Sequence, residues 1–348
     1  MIKFILHKAF YGLLVLLGVV ILVFVLFQGF SDPSRLVMGQ TGDTKTQAAI
    51  RKELYLDQPK WKQFLFYLND VSPIAFHTKD EIEKKELKGL FIGGNRKLAI
   101  KFPYLRRSYQ TKKSVSAILL EALPGTILLA FSAMLIAVLI GIPLGVLAAV
   151  KQNTWMDTTA VFTSIVGISA PSFFMGIIIA YVFGFLLSDY TGLHLTGSWF
   201  DIDASGHKQL TLENLILPAI TLGIRPLAII VQLTRSSMLD VLDQDYIRTA
   251  YAKGLNRQTV IWKHALRNAL NPVITAITGW FGELLAGAFF IEYIFGWRGI
   301  GKVTVDALEK LDFPVVMGSV LISATFFIVI NILADLFYGI VDPRVRVR

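Results

Sequence analysis

Six long apolar stretches constrain this chain more than any other feature. Ala9 to Phe27, Ala122 to Val150, Thr158 to Ser188, Asn214 to Thr234, about Pro272 to Ile291, and Phe313 to about Val341 are the six. Each supplies the roughly 20 residues that a helix needs to cross a hydrocarbon core about 30 Å thick. Over 348 residues, 54% hydrophobic and 17% charged side chains carry far more apolar surface than a soluble core of this size uses. The expected fold class is an all-α polytopic membrane protein with six transmembrane helices.

The first stretch follows Lys3 and Lys8 as a signal peptide would. It is longer than a usual signal core and no small-x-small cleavage site follows it, so it reads as a retained anchor. Pro143 and Pro171 allow a kink or tilt in the second and third stretches. Short-loop charge sets the orientation. Arg235 to Arg267 holds six Lys/Arg, Arg344, Arg346 and Arg348 close the chain, and Ser188 to Glu213 has a single Lys208 among four acids. Both termini are expected in the cytoplasm. The segment from Lys79 to Lys113, with eleven Lys/Arg against four Asp/Glu, opposes this orientation. It belongs to a loop, Asp32 to Lys113, longer than the ~60 residues over which the rule counts.

The net charge of +9 does not point to nucleic acid, because the basic residues flank apolar spans where they meet lipid headgroups. The chain has no cysteine, which removes disulfides, thiol chemistry and thiolate metal sites. His7, His77, His194, His207 and His264 are too scattered for a metal cluster. Gly296-Trp297-Arg298-Gly299-Ile300-Gly301-Lys302 fits the first seven positions of a P-loop, but Val303 replaces the Ser/Thr that would hold magnesium, and the run follows a membrane span rather than a strand. It reads as a tight turn before the sixth span. No cofactor and no metal site is expected.

In the long first loop, Thr46 to Leu54 and Trp61 to Leu68 carry apolar residues at helical spacing, separated by Asp57-Gln58-Pro59. Two short helices are expected there. From His77 to Tyr104 the residues allow either a helix and short hairpin around Gly93-Gly94-Asn95 or an exposed loop.

Between the fourth and fifth stretches lies a polar segment, Asp245, Tyr246, Ile247, Arg248, Thr249, Ala250, Tyr251, Ala252, Lys253 and Gly254. Ile247, Ala250 and Tyr251 at i, i+3 and i+4 give a short helix one small apolar face. Gly254 suits a helix-ending C′ position and Asn256 the cap of a following helix that carries Val260, Ile261, His264 and Ala265 on one side. Such a helix-turn-helix either presents a knob to a soluble partner or lies on the headgroups, and periodicity allows both.

Leu215 to Ala219, Thr234 to Leu242, Asp245 to Gly254, His264 to Leu270, Asn331 with Asp335, Asp342 to Arg346, Asp32-Pro33 and Leu56 to Pro59 occur together in order. In this the chain resembles the permease subunits of oligopeptide, dipeptide and nickel ABC importers, over nearly its whole length. The family's importer motif has a variant counterpart here in Arg248-Thr249-Ala250, Gly254, His264, Leu266 and Arg267.

The resemblance implies a type I importer permease fold. Residues 1–30 would hold the first helix, 31–113 a small extracytoplasmic domain, and 114–348 a five-helix core with a coupling loop at 237–271. It implies a second permease subunit, two cytoplasmic ATPase subunits and an extracytoplasmic solute-binding protein as partners, in a bacterial inner membrane, with ATP hydrolysis on the separate subunits. Asp245, Tyr246, Ile247, Arg248, Thr249, Ala250, Lys253 and Gly254 would couple to an ATPase. Peptides are the expected cargo, with nickel or another small solute as the alternative within the family, and an ion-coupled carrier or a membrane enzyme as readings outside it. Three features depart from the family pattern: the insertion at 77–104, Arg298 in place of a turn proline, and Arg225.

Charges inside spans cost about 2.5–3.5 kcal/mol at mid-bilayer, so Arg225, Glu283 and Asp335 should face a cavity or another helix. With Asn331 they are candidates to line the translocation path, and pairs such as Arg225–Glu283 or Asn331–Asp335 are the structural alternative. Glu121 and Glu292 are expected at solvated span ends.

Overall fold

The computed structural model describes residues 2–28, 51, 55–202 and 207–341. The helix expected over Thr46 to Leu54 (Arg51 apart), the Asp32-Pro33 pair and the Asp342 to Arg346 tail lie outside them. Among the described residues, four helical stretches are long and apolar enough to cross a membrane: Leu6–Phe27, Val115–Val150, Leu212–Leu242 and Phe313–Leu336. A fifth comes from a bent pair, Trp155–Ser169 with Ser172–Leu186, and this corrects the expectation of a merely kinked third span. The pair turns by 107° at Ala170-Pro171. Proline cannot donate to the ladder and pushes the residue before it out of the α region, and Ala170 is extended, with ψ 130°.

The helix over the expected fifth span, Leu266–Gly287, is not among these apolar spans. Asn268, Asn271, Thr275, Thr278 and Glu283 dilute it. Among the described residues, four or five spans on length and composition therefore stand where six were expected.

The chain divides into two compact units, Met1–Ala9 with Leu123–Lys302 and Phe326–Arg348, and Phe10–Ala122 with Val303–Thr325. The second unit begins in helix α1 (Ile2–Gln28), followed by α2 (Lys60–Val71), strand β1 (Ile74–Thr78), α3 (Lys79–Lys84), β2 (Gly89–Ile92) and β3 (Arg96–Lys101). Phe24 of α1 packs on Phe64 and Tyr67 of α2, with ring centroids 5.1 and 5.8 Å apart. The helix expected at Trp61 to Leu68 is α2. Here the all-α expectation is corrected, because β1, β3 and β2 form an antiparallel sheet in that order. Helix α3 starts with a complete capping box, in which Thr78 and Glu81 satisfy each other's backbone N–H groups.

Asp70, almost fully buried, is the charge hub of this unit. Its carboxylate pairs with Lys85 and Arg106, and its carbonyl accepts from Lys101. Burial pushes the Lys101 ammonium down to about 8 against the opposing pull of Asp70, with a smaller push from Lys85.

His77 is buried beside these cations, its Nδ1 3.3 Å from Glu81 Oε2. Burial first, then Lys101 and Lys85, hold it below the usual histidine range, while Glu81 pulls the other way. The unfolded chain therefore binds a proton, as pH falls through the ordinary histidine pKa, that the folded unit refuses. Stability is present above that pKa and is lost below it. Amide protection factors across 74–101, corrected for the intrinsic pH dependence of exchange, should fall between pH 7.5 and 5 in the membrane-embedded protein, and His77→Gln should flatten that fall. An unchanged pH response in the variant would show that another group titrates.

In the first unit, α4 (Val115–Val150) contributes its part from Leu123 onward, followed by α5 (Trp155–Ser169), α6 (Ser172–Tyr181), a π turn (Val182–Leu186), α7 (Ser188–Thr191) and a β4 (Phe200–Ile202) to β5 (Lys208–Leu210) hairpin. Then come α8 (Ile216–Leu242), α9 (Asp245–Ala252), α10 (Arg257–Thr259), a second π turn (Val260–Ala265), α11 (Leu266–Gly287), α12 (Phe289–Ile294), α13 (Ile300–Glu309) and α14 (Phe313–Val341). Only the first residues of α13 and the later part of α14 belong to this unit.

Gly141 and Gly145 let α4 close on α8. A Cβ at Gly145 would come within 2.6 Å of Thr234 Cβ, and one at Gly141 within 2.9 Å of Ile230. Small residues four apart are the usual means of close helix approach in lipid, where packing rather than the hydrophobic effect drives association.

Candidate functional site

The polar segment folds as the eight-residue helix α9, and its ending follows the expectation in detail. Gly254 sits at φ +78°, its N–H donating to the Tyr251 carbonyl, while the Leu255 N–H reaches back to Ala250. These are the two bonds of a Schellman ending, and the positive φ requires glycine there. Asn256 then caps α10 by accepting from the Thr259 N–H at 2.7 Å.

The helix is amphipathic toward its own chain. Ile247 and Ala250 are buried in a cluster with Val146 and Ala149 of α4, Met238 of α8, and Val260, Ile261, Ala265 and Ala269 from the segment that follows. Tyr246 is fastened as well, its hydroxyl accepting from Asn268 Nδ2 at 2.9 Å. Three elements therefore grip one face. Asp245, Arg248, Thr249, Lys253 and Gly254 occupy the other, exposed side, with Tyr246 and Tyr251 also partly outward. Arg248 and Asp245 form only a loose surface pair at 3.6 Å, worth little to the fold.

Close to this joint, Arg235 of α8 holds Asp157 at the start of α5 through two hydrogen bonds, and Asp157 also accepts from the Asn153 N–H. Reasoning from sequence missed this clamp. The signal was there, an acid at the first turn of a span and an arginine at the end of another, but nothing local matches them across 78 positions.

The four intramembrane candidates fall in different places. Arg225 and Glu283 are both exposed on the surface of the single chain, and they are not paired with each other among the described contacts. The Arg225 guanidinium instead lies over the Trp280 ring, 5.5 Å from its centroid. Asn271, Thr275, Gly279 and Glu283 recur every four residues along one exposed face of α11. Asn331 donates to the Phe327 carbonyl of its own helix and packs over Gly282. Asp335 pairs with Lys8 at 2.8 Å, a partner not anticipated, rather than with Asn331.

The expectation that Glu292 is solvated at a span end is corrected. Glu292 is 0% exposed. Thr126 Oγ1 donates to it at 2.7 Å, and the backbone N–H groups of Gly301 and Lys302 donate at 2.6 and 3.2 Å. Gly299 is glycine because a Cβ there would collide with this carboxylate. The P-loop-like run does wrap an acceptor with successive N–H groups, but the acceptor is the chain's own carboxyl group. Trp297 closes the cradle, donating its indole N–H to the Gly125 carbonyl at 2.9 Å.

Residues 141–347 match the family described as binding-protein-dependent transport system inner membrane component, and residues 1–130 match the N-terminal component of the same system. The chain belongs to this family. This importer permease is 37% identical over 374 residues to the dipeptide transport system permease protein DppB of Escherichia coli K12, covering 99% of each chain. It is 35% identical to the protein of the same name from Alkalihalophilus pseudofirmus, over 95% of this chain and 96% of that one. A solved structure described as an inward-facing conformation of the MetNI methionine ABC transporter superposes with a TM-score of 0.51 at 18% identity, covering 65% of the permease and 97% of that chain. That likeness concerns the fold alone. The permease is thus a multi-pass inner-membrane protein, and its buried carboxylate and α9 joint belong to a transport subunit.

Proposed function

We propose that this chain is one of two permease subunits of an ATP-driven importer that carries di- and oligopeptides released by an extracytoplasmic solute-binding protein. It crosses the membrane six times with both termini in the cytoplasm, α11 supplying the polar span and residues 31–113 the outer domain. Helix α9 docks into one of two cytoplasmic ATPase subunits, its outward residues Asp245, Arg248, Thr249 and Lys253 meeting the groove. Closure of the ATPase pair on ATP then moves α9 as a lever.

The observation that carries this reading is the two-sided character of α9. A helix of eight residues is not stable alone, yet this one is anchored by Ile247 and Ala250 while its polar face is left for a partner. The cargo is inferred from the relatives, which are dipeptide permeases. Arg225, Glu283 and the polar stripe of α11 line the path, since facing them to lipid would cost about 2.5–3.5 kcal/mol per charge.

Mild-detergent purification of the tagged chain should recover a second permease and a Walker-type ATPase, and proteoliposomes of that complex should accumulate labelled dipeptide on addition of ATP and the binding protein. Glu283→Ala should lower uptake at least tenfold with assembly intact. A chain that purifies alone, or a complex that ignores dipeptides, would overturn the proposal.

A further inference from the structure

The sheet of the second unit is inside out for a sheet in water. Its covered face carries Ala75, His77, Ala99 and Lys101, all buried. The opposite face is exposed, and register makes it continuous: Ile74 faces Ile100, which faces Leu90, and Phe76 faces Leu98, which faces Ile92. Ile74 is 62% exposed, Phe76 63%, Leu90 68%, Ile92 64% and Ile100 49%, and Phe102 just past β3 reaches 81%. An antiparallel sheet with one wet face normally turns its polar residues outward. Contiguous apolar surface of this kind marks a place where water is displaced.

Charge narrows what displaces it. Two-residue alternation puts Lys88, ahead of β2, and Arg96, at the start of β3, on this same face, one at each end of the apolar rows. The positions that share this face across the three strands include no acid. Strand addition by a peptide is not what the unit offers at β1. The outward N–H and C=O groups of Phe76 are already taken by Asn69, those of Ile74 by Ser72, and the Thr78 N–H by Glu81. Beside β1 lies a cleft of about 490 Å³, lined by Leu65, Leu68, Ile74 and Phe76, with both Arg96 and Glu81 among its walls. The chain leaves this unit in both directions through membrane-crossing helices, α1 and α4. Tethering to a bilayer at both ends raises the local concentration of lipid enough that a weak surface affinity suffices.

We propose that this sheet face docks on the bilayer surface itself, with Ile74, Phe76, Leu90, Ile92 and Phe102 entering the headgroup region and Lys88 and Arg96 meeting the phosphates of anionic phospholipid. An apolar patch with cationic flanks is the composition of an interfacial membrane anchor. The inference does not depend on which solute is carried or on which side of the membrane the unit lies.

The absence of native cysteine makes the test clean. Ile92→Cys and, as the control on exposed α3, Glu83→Cys are labelled with an environment-sensitive fluorophore in the full chain, in nanodiscs of phosphatidylcholine with or without phosphatidylglycerol. Spin-labelled lipid should quench the Ile92 site several-fold more than the Glu83 site. That difference should grow with phosphatidylglycerol and fall in high salt or in a Lys88→Glu/Arg96→Glu variant, because screening shortens the range of these charges. Equal quenching at both sites overturns the proposal. So does protection of the Ile92 site that appears only when the binding protein or the other transporter subunits are added in lipid-free detergent, which would make the face a protein interface.

Discussion

Ala250→Glu is expected to abolish ATP-driven uptake while the chain still inserts in the membrane. Ala250 is 7% exposed and lies among Val146, Met238, Val260 and Ala265. A carboxylate there finds no partner, and an unpaired buried charge costs on the order of several kcal/mol. An eight-residue helix has little stability of its own to set against that cost, so α9 leaves its seat instead. The outward residues stay chemically intact but lose their fixed relation to α8 and α11, and a loose joint transmits no displacement. Gly254→Pro should act similarly, because proline can adopt neither the +78° φ nor the N–H bond to Tyr251. Arg248→Glu separates docking from coupling. It should reduce ATPase-linked uptake with α9 amides as protected from exchange as in the unmodified chain. Normal uptake by Ala250→Glu and Gly254→Pro together would mean that α9 is not the lever.

The second large effect falls on Glu292. Its replacement by alanine leaves the Thr126 hydroxyl and two backbone N–H groups without an acceptor in a site closed to water. At about 1–3 kcal/mol for each stranded donor, the loss is roughly 3–9 kcal/mol before any cavity is counted. Membrane extracts should contain the variant, but its yield as a monodisperse species should collapse and its thermal midpoint should fall by about 6 °C or more, on the scale of roughly 2–4 °C per kcal/mol for domains of 150–250 residues. Glu292→Gln keeps the shape and one acceptor and should lose less. Gly299→Ala should reproduce the alanine phenotype from the opposite side, since its methyl collides with the same carboxylate. If both variants melt with the parent, the cradle is not what holds α12 to α13.

The site was legible where the signal is local. The order of apolar and polar residues locates Ile247 and Ala250 on one face, and Gly254 and Asn256 announce their turn because each satisfies backbone groups within five positions. The same reasoning failed for Glu292. A glutamate after an apolar run looks like a span end until Gly299 and Gly301 are seen to wrap it, although three glycines in six residues after an acid were a usable hint. It also missed the partners of Arg225 and Asp335. Hydropathy says that such charges need company but not whose: Trp280 lies 55 positions from Arg225, and Lys8 is at the far end of the chain from Asp335.

Composition and periodicity by themselves determined that this chain lives in a membrane, where most of its long helices begin and end, and that a short two-faced helix follows α8. These follow from bilayer thickness, helical repeat and capping, which act over a few residues to a few turns. The tertiary structure alone decided the 107° break of the third span, the partners of the buried charges, and the sheet at 74–101 with its apolar side outward. Those outcomes depend on pairing between distant segments. Register, burial and charge compensation are properties of the packed chain, and no window along the sequence contains both partners.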